Sequence, residues 1–266
     1  MLDIKTYIKK TAKSAGILII LALFFPLVFP NYSYSFELAP YQSLSPNLFL
    51  YSYKENLAPE TDTEYGLFAG AGYRAGLNVY LTPAFGVYGS VGGSADIGKL
   101  HYNGFIATDD NTMVYYYHTD GMFGEANKIG IFEKDGGFTA KQYFGANVRY
   151  WIRSTGEYTD RITGSTGYGL VLQYEYRGYK AGADLEQSFI PRSPLNFVVN
   201  RGQRFDMGTG DISDVSLYVG RKNLTLILFY EIFSINKSNY ALIDGNPWFE
   251  PSSIAKETGI SLNYKF

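Results

Sequence analysis

The stretch Gly259-Ile-Ser-Leu-Asn-Tyr-Lys-Phe266 decides the fold of this chain. Its apolar residues alternate with polar ones up to the last position: Ile260, Leu262, Tyr264 and Phe266 are separated by Ser261, Asn263 and Lys265. Because successive side chains of a β-strand point to opposite faces, this alternation predicts a strand with one apolar face and one polar face. Such a strand fits a membrane barrel or, as the alternative, a soluble sheet.

The other end of the chain has the layout of a secretory signal. A basic stretch precedes an apolar run from Ala15 to Phe29, and Ser33 and Ser35 have the spacing of a signal-peptidase site. We expect cleavage between Ser35 and Phe36, with residues 1–35 as the signal peptide and 36–266 as the mature barrel domain. An uncleaved membrane anchor is the alternative, but the apolar run is short for a membrane span.

The composition is that of a β-protein, with 25 Tyr, 19 Phe and 29 Gly. There is no cysteine, which excludes disulfides, Cys-ligated metals and a lipid anchor at a cysteine. The 23 Lys and Arg against 25 Asp and Glu argue against nucleic acid as a partner. Beyond the leader no apolar run approaches 18 residues, so a membrane protein with this sequence has to be a closed barrel.

Alternating segments recur along the whole chain and predict ten antiparallel strands. We place them at about 47–54, 64–80, 85–97, 126–133, 138–152, 167–177, 179–189, 213–221, 224–235 and 256–266, after a periplasmic lead-in at 36–46. Short turns alternate with longer connections, as in outer-membrane barrels with short periplasmic turns and long outer loops. Eight or twelve strands are the alternatives, and the orientation of the strand from Leu224 to Ile235 is open because both of its faces are mostly apolar.

The final strand resembles the closing strand of bacterial outer-membrane β-barrels. This resemblance implies that Ile260, Leu262, Tyr264 and Phe266 form the signal that the barrel-assembly machinery reads. More broadly, residues 47–266 resemble the small outer-membrane barrel families in architecture, and no motif identifies a subfamily. The expected fold class is therefore all-β, a closed antiparallel transmembrane barrel in the bacterial outer membrane, in contact with its lipid and lipopolysaccharide.

Charges of both signs fall on the polar faces of the predicted strands: Arg74, Lys141 and Arg149 on two of them, Glu175, Asp184 and Glu186 on two others. Ten strands enclose a lumen little wider than its side chains require. We expect these charges to pair and plug the lumen, because an unpaired buried charge is costly. The alternative is a narrow path for ions or small solutes.

The only histidines, His101 and His118, fall in the 98–125 stretch, which we interpret as a long outer connection. His118 and Asp120 resemble, by location and predicted strand count, the Asp–His pair at the rim of the ten-strand omptin proteases. Here the histidine comes first, and Asp109 and Asp110 are adjacent rather than alternate, so a rim protease or lipid-modifying enzyme is a minor alternative. We predict no catalytic site, cofactor or metal, and a surface protein whose outer loops contact an unknown ligand or support the envelope.

Overall fold

The computed structural model describes residues 37–56, 61–82, 85–103, 108–133, 136–153, 160–193, 196–200, 203–243 and 246–266. In these ranges, no helix is long and apolar enough to cross a membrane. The strands in chain order are β1 (Glu37–Asn56), β2 (Thr61–Tyr80), β3 (Phe85–Asn103), β4 (Thr108–Glu133), β5 (Gly136–Arg153), β6 (Asp160–Tyr176), β7 (Tyr179–Ile190), β8 (Phe197–Asn200), β9 (Gln203–Asp206), β10 (Gly210–Arg221), β11 (Leu224–Ile235), β12 (Ala241–Ile243), β13 (Asn246–Trp248) and β14 (Ser253–Lys265).

Ten of these strands form one closed antiparallel wall. The short hairpin β8–β9 extends it, because β8 pairs with the outer end of β6, and β12 and β13 pair with each other in a separate two-stranded sheet. Each wall strand pairs with its neighbours in the chain, and β14 pairs with β1 to close the barrel, from Lys265 opposite Ser43 to Ser253 opposite Glu55. The predicted all-β closed barrel with ten strands is confirmed. Closure removes the open edges that would leave backbone groups without partners in lipid.

The wall strands keep the alternation seen in the sequence. Outward-facing residues form an apolar belt; on the last strand they are Ile260, Leu262, Tyr264 and Phe266, all strongly exposed. The orientation of β11, open from the sequence, is settled: Leu224, Leu226 and Leu228 face outward, and Glu231 is buried inside. Exposed tyrosines lie near both ends of the belt, where their amphipathic rings suit a lipid headgroup region.

Tight turns connect the strands at one end of the barrel. The β6–β7 turn has positive φ at both Arg177 (48°) and Gly178 (74°), which matches the two-residue hairpin turns whose twist follows that of the strands. At the other end, two connections are long, 191–209 and 236–252. We name the end with the long connections outer, and the end with the tight turns and Phe266 periplasmic.

Sequence-based assignments need correction at three places, the smallest of them at β6, which starts at Asp160 and not at 167. Residues 37–46, expected as a periplasmic lead-in, belong to β1 and pair along β2. Most of 98–125, expected as an outer connection, is strand, because β3 continues to Asn103 and β4 starts at Thr108. Both segments alternate less cleanly than the others, so their strand character comes from pairing with neighbours. The proposed cleavage site at Ser35 and Phe36 lies outside the described residues.

Candidate functional site

The inward faces of the wall strands fill the lumen in layers, and these layers are the candidate functional site. Inward side chains are mostly aromatic in the outer half of the barrel and charged in its middle. A ten-strand barrel leaves space for little more than the side chains themselves. What crosses the lumen therefore decides whether anything passes through it.

The first layer, called here the aromatic layer, consists of five inward-facing rings: Phe49, Tyr51, Phe68, Tyr116 and Trp151. The Trp151 ring centroid lies 4.6 Å from that of Tyr51 and 4.5 Å from that of Tyr116. Tyr51 is on β1 and Trp151 on β5, four strands away around the wall, so their contact crosses the lumen. Offset and edge-to-face ring pairs at such distances are favourable beyond the area they bury.

Above this layer, the described part of the connection 191–209 extends the wall, because β8 pairs with the outer end of β6; we call this part the cap. Its side chains Val198 and Met207 are buried and belong to the same apolar cluster as the aromatic layer. Asn196 holds the cap in place: its side-chain amide donates to the carbonyl of Pro191 at 2.5 Å, and its carbonyl accepts from the backbone N–H of Gly164 at 2.5 Å.

Below the aromatic layer, Arg149 on β5 and Glu231 on β11 form a bidentate ion pair across the barrel. Arg149 Nη1 donates to Glu231 Oε1 at 2.5 Å, and Nη2 donates to the second carboxylate oxygen. Nη1 also lies 2.9 Å from the Tyr116 hydroxyl, and the guanidinium carbon is 4.2 Å from the Phe233 ring centroid. Two parallel charge-assisted bonds fix the geometry of the pair as well as adding energy.

A second bridge, the outer bridge, joins opposite walls above the apolar belt. Arg161 Nη2 on β6 donates to the Tyr53 hydroxyl at 2.5 Å, to Glu55 Oε1 at 3.0 Å and to Glu250 Oε1 at 2.5 Å. The guanidinium therefore contacts two carboxylates and ties β6 to β1.

Between the Arg149–Glu231 pair and the periplasmic half lies a polar cavity of about 190 Å³, the chamber. Arg74 on β2 and Asp120 on β4 lie on its wall. Arg74 Nη2 is 2.7 Å from Asp120 Oδ2, across the intervening strand β3. The β3 residue between them is Gly92, where an added Cβ would lie 3.1 Å from Asp120 Oδ1 and 3.2 Å from Arg74 Cζ. Glycine at this position leaves the ion pair the room it needs.

One side of the chamber is a wall of carboxylates. Glu186, Asp214 and Glu231 stand opposite one another on β7, β10 and β11. The Tyr143 hydroxyl lies 3.0 Å from both Asp184 Oδ1 and Glu186 Oε2. A wall of this kind attracts cations and repels anions.

The six predicted lumen charges all occupy inward-facing positions: Arg74, Lys141, Arg149, Glu175, Asp184 and Glu186. The predicted pairing among them is wrong, because Arg74 pairs with Asp120 and Arg149 with Glu231. Lys141 Nζ instead lies 5.3 Å from the Tyr88 ring centroid. Glu175 is exposed near the periplasmic turn, opposite Lys180. The sequence shows which way a side chain points, whereas the partner depends on the stagger of strands around the barrel.

The structure also places the two histidines elsewhere than the sequence predicted. His118 and Asp120 do share one face of β4, but that face points into the chamber and not to the outer rim. His101, at the outer end of β3, stacks on the outward-facing Tyr65 at 4.9 Å between ring centroids. Neither histidine therefore forms the rim pair considered from the sequence.

Sequence reasoning missed three residues that carry the lumen contacts: Glu231, Trp151 and Arg161. Glu231 is the single acid in the otherwise apolar strand β11, which is a signal that could have marked it as inward-facing. Arg161 lies in a stretch interpreted from the sequence as a loop. In the part of the chain that the structure describes, no three His, Asp or Glu side chains are arranged to hold a metal ion. The expectation that the protein uses no cofactor stays a prediction.

No protein-family model matches the chain, and no curated protein matches it in sequence. Solved structures match the chain in fold. The outer-membrane protease OmpT from Escherichia coli is 11% identical with a TM-score of 0.50, and the match covers 88% of this chain and 99% of OmpT. The attachment invasion locus protein Ail of Yersinia pestis is 12% identical with a TM-score of 0.29, over 85% of this chain and 99% of Ail.

An outer-membrane channel from Pseudomonas putida F1 is 8% identical with a TM-score of 0.37, and the match covers 85% of this chain and 96% of the channel. At such identities the likeness concerns the fold alone. The fold of this chain is that of the bacterial outer-membrane β-barrels.

Proposed function

We propose that this chain, which has the fold of a bacterial outer-membrane barrel, is an integral outer-membrane protein with a closed lumen. In this proposal it is not an enzyme, and it acts through its outer surface, either by contacting the environment or by supporting the envelope. Its partners are the barrel-assembly machinery during insertion, outer-membrane lipid and lipopolysaccharide afterwards, and an unidentified ligand at the outer loops.

The observation that carries the proposal is that the lumen is blocked in successive layers. From outside to inside these are the outer bridge at Arg161, the aromatic layer and the Arg149–Glu231 pair. All three join strands that face each other across the lumen. A side chain held by a buried, bidentate ion pair does not swing aside at low cost, because separating the partners leaves a buried charge uncompensated.

The length of the wall supports a role at the surface. A tilted strand crosses a bilayer in about 9–11 residues, whereas β1 and β2 each have 20 residues and β4 has 26. On β1 the outward apolar residues end at Leu50, and Ser52, Lys54 and Asn56 follow. The outer part of the wall therefore presents polar side chains beyond the apolar belt.

A narrow porin is the second candidate, and the chamber is the observation that favours it. The chamber is polar, has room for several water molecules, and has an acidic side that would prefer cations. In that reading the aromatic layer would act as a gate above a hydrated path.

Single-channel recording in planar bilayers separates the two candidates. We expect the unmodified protein to show no steady conductance. The variant Arg149→Ala/Glu231→Ala should stay closed, since the aromatic layer and the outer bridge remain, whereas adding Tyr51→Ala, Trp151→Ala and Arg161→Ala should open a leak. Tyr51→Ala/Trp151→Ala alone is the intermediate variant, and heat-modifiable gel migration confirms that each variant is folded. A large, stable conductance from the unmodified protein would overturn the closed-lumen proposal in favour of the porin.

A further inference from the structure

Charges at the outer ends of β14 and β1 are sorted to opposite sides of the barrel wall. Lys54 and Lys256 face outward and are exposed, while their chain neighbours Glu55 and Glu257 face inward. Glu55 is held by Arg161 in the outer bridge, and Glu257 is buried. The carboxylates next to the lysines in the chain are therefore separated from them by the barrel wall.

The two lysines are close neighbours on the outer surface. In the β1–β14 pairing Lys256 stands opposite Ser52, and Lys54 is two residues further along β1, so the lysines occupy diagonal positions on one face. Such positions are about 7–8 Å apart. Two ammonium groups on flexible stems at this spacing repel each other, and together they can contact one anion placed between them.

The height of the lysines on the wall indicates which anion they meet. Lys54 is the second outward-facing residue beyond the end of the apolar run at Leu50. On β3 the apolar run ends at Ile97 and Lys99 follows it directly. Tyr65, on the strand between them, is exposed at the same border. Residues just beyond an apolar belt and its aromatic rings lie at the level of lipid headgroups.

Among the residues that the structure describes, this part of the outer surface presents no outward-facing acid. On the described outer ends of β14, β1, β2 and β3 the outward-facing residues are Ile254, Lys256, Thr258, Ser52, Lys54, Asn56, Thr61, Thr63, Tyr65, Lys99, His101 and Asn103. Asp62 and Glu64, on β2, point inward and are buried. An arriving anion thus meets basic and neutral side chains.

We propose that Lys54 and Lys256 bind the phosphate of a phosphorylated lipid in the outer leaflet. The proposal rests on the proposed outer-membrane location and adds the site of lipid contact. Ammonium–phosphate contacts are charge-assisted hydrogen bonds, and basic residues near an anionic lipid surface each add to binding. The lysine pair would anchor the barrel at the wall seam where β14 closes on β1.

Lipid binding to the folded protein, purified in detergent, tests the site. The probes are lipid A carrying both phosphates, the same lipid after removal of its phosphates, and inorganic phosphate alone, with binding measured by native mass spectrometry. We expect Lys54→Gln/Lys256→Gln to weaken binding of phosphorylated lipid A by roughly 10- to 30-fold and to leave the dephosphorylated lipid unaffected. Lys54→Arg/Lys256→Arg should retain binding, and Lys222→Gln on a periplasmic turn is the matched control.

Unchanged binding by the double Gln variant, or an equal loss with Lys222→Gln, would overturn the site. So would binding of inorganic phosphate as tight as that of the lipid, because the anion would then not be a headgroup. Heat-modifiable migration shows that the variants are folded. The measurement does not involve conductance, so a conducting barrel would refute the closed lumen and leave this result standing, and a loss of lipid binding would leave the closed lumen standing.

Discussion

At the scale of the residue, a buried charge is stable only with its partner in place. Arg149 and Glu231 are both more than nine-tenths buried. Arg149→Ala should therefore lower the free energy of unfolding by about 3–5 kcal/mol, since it leaves the Glu231 carboxylate buried alone. The double variant Arg149→Met/Glu231→Leu should be more stable than Arg149→Ala, because it removes both charges and keeps the volume filled. Urea unfolding in lipid vesicles compares the unmodified protein with these two variants.

Lys222→Ala serves as the control for this series, because Lys222 is exposed at a turn and a surface change of this kind is usually within about 0.5 kcal/mol. If Arg149→Ala were as stable as this control, the ion pair would not be holding the two walls together.

At the scale of the element, the outward and inward faces of the wall strands should respond in opposite ways to charge. Leu228 on β11 faces outward and is half exposed, whereas Ser216 on β10 faces the lumen and donates to Asp214 Oδ1 at 3.2 Å. We expect Leu228→Arg near the middle of the belt to cost roughly 2–4 kcal/mol. Ser216→Arg should be milder, because the new guanidinium would lie beside Asp214 and Asp184. Reversible folding into vesicles gives both values.

Leu172→Arg and Gln173→Arg repeat the comparison on β6, where the alternation in the sequence already separates the lipid side from the lumen side. If the inward substitutions lowered the free energy of unfolding more than the outward ones in both comparisons, the faces would be assigned the wrong way round.

At the scale of the whole molecule, stability should reside in the closed wall and its cross-bridges, and the outermost hairpin should be dispensable. Strands β12 and β13 pair only with each other. The connection that carries this hairpin is closed at its base. There Ser238 N–H donates to the Glu250 carbonyl at 2.9 Å, and Glu250 N–H donates to Ser238 Oγ at 2.8 Å. Replacing residues 240–248 with two glycines should shift the thermal midpoint by only a few degrees.

Glu250→Ala is the matched change in the same segment. It should lower the free energy of unfolding by about 1–3 kcal/mol, more than the deletion does, because Arg161 loses a buried partner. Thermal unfolding followed by gel migration compares them. The opposite order would mean that the hairpin, and not the outer bridge, stabilises the outer end of the barrel.

Much of this fold can be predicted from the sequence because its main signal is local. Alternation with period 2 depends only on neighbouring residues, so the closed all-β barrel, the short turn at Arg177-Gly178 and the outward face of the final strand were all predictable. The signal weakens where apolar residues occupy both faces, as in β11, or where polar residues interrupt the pattern, as in 37–46 and 108–125. In those segments hydrogen bonding to adjacent strands makes the strand.

The sequence by itself thus determined the barrel and the side of the wall on which most side chains lie. Only the tertiary structure decided which side chains meet inside it. Arg149 and Glu231 are 82 positions apart in the chain, and Arg161 and Glu55 are 106 apart. Strand tilt and stagger set the height at which each inward residue arrives on its side of the lumen. Because that height is a property of the closed barrel, no local pattern encodes it.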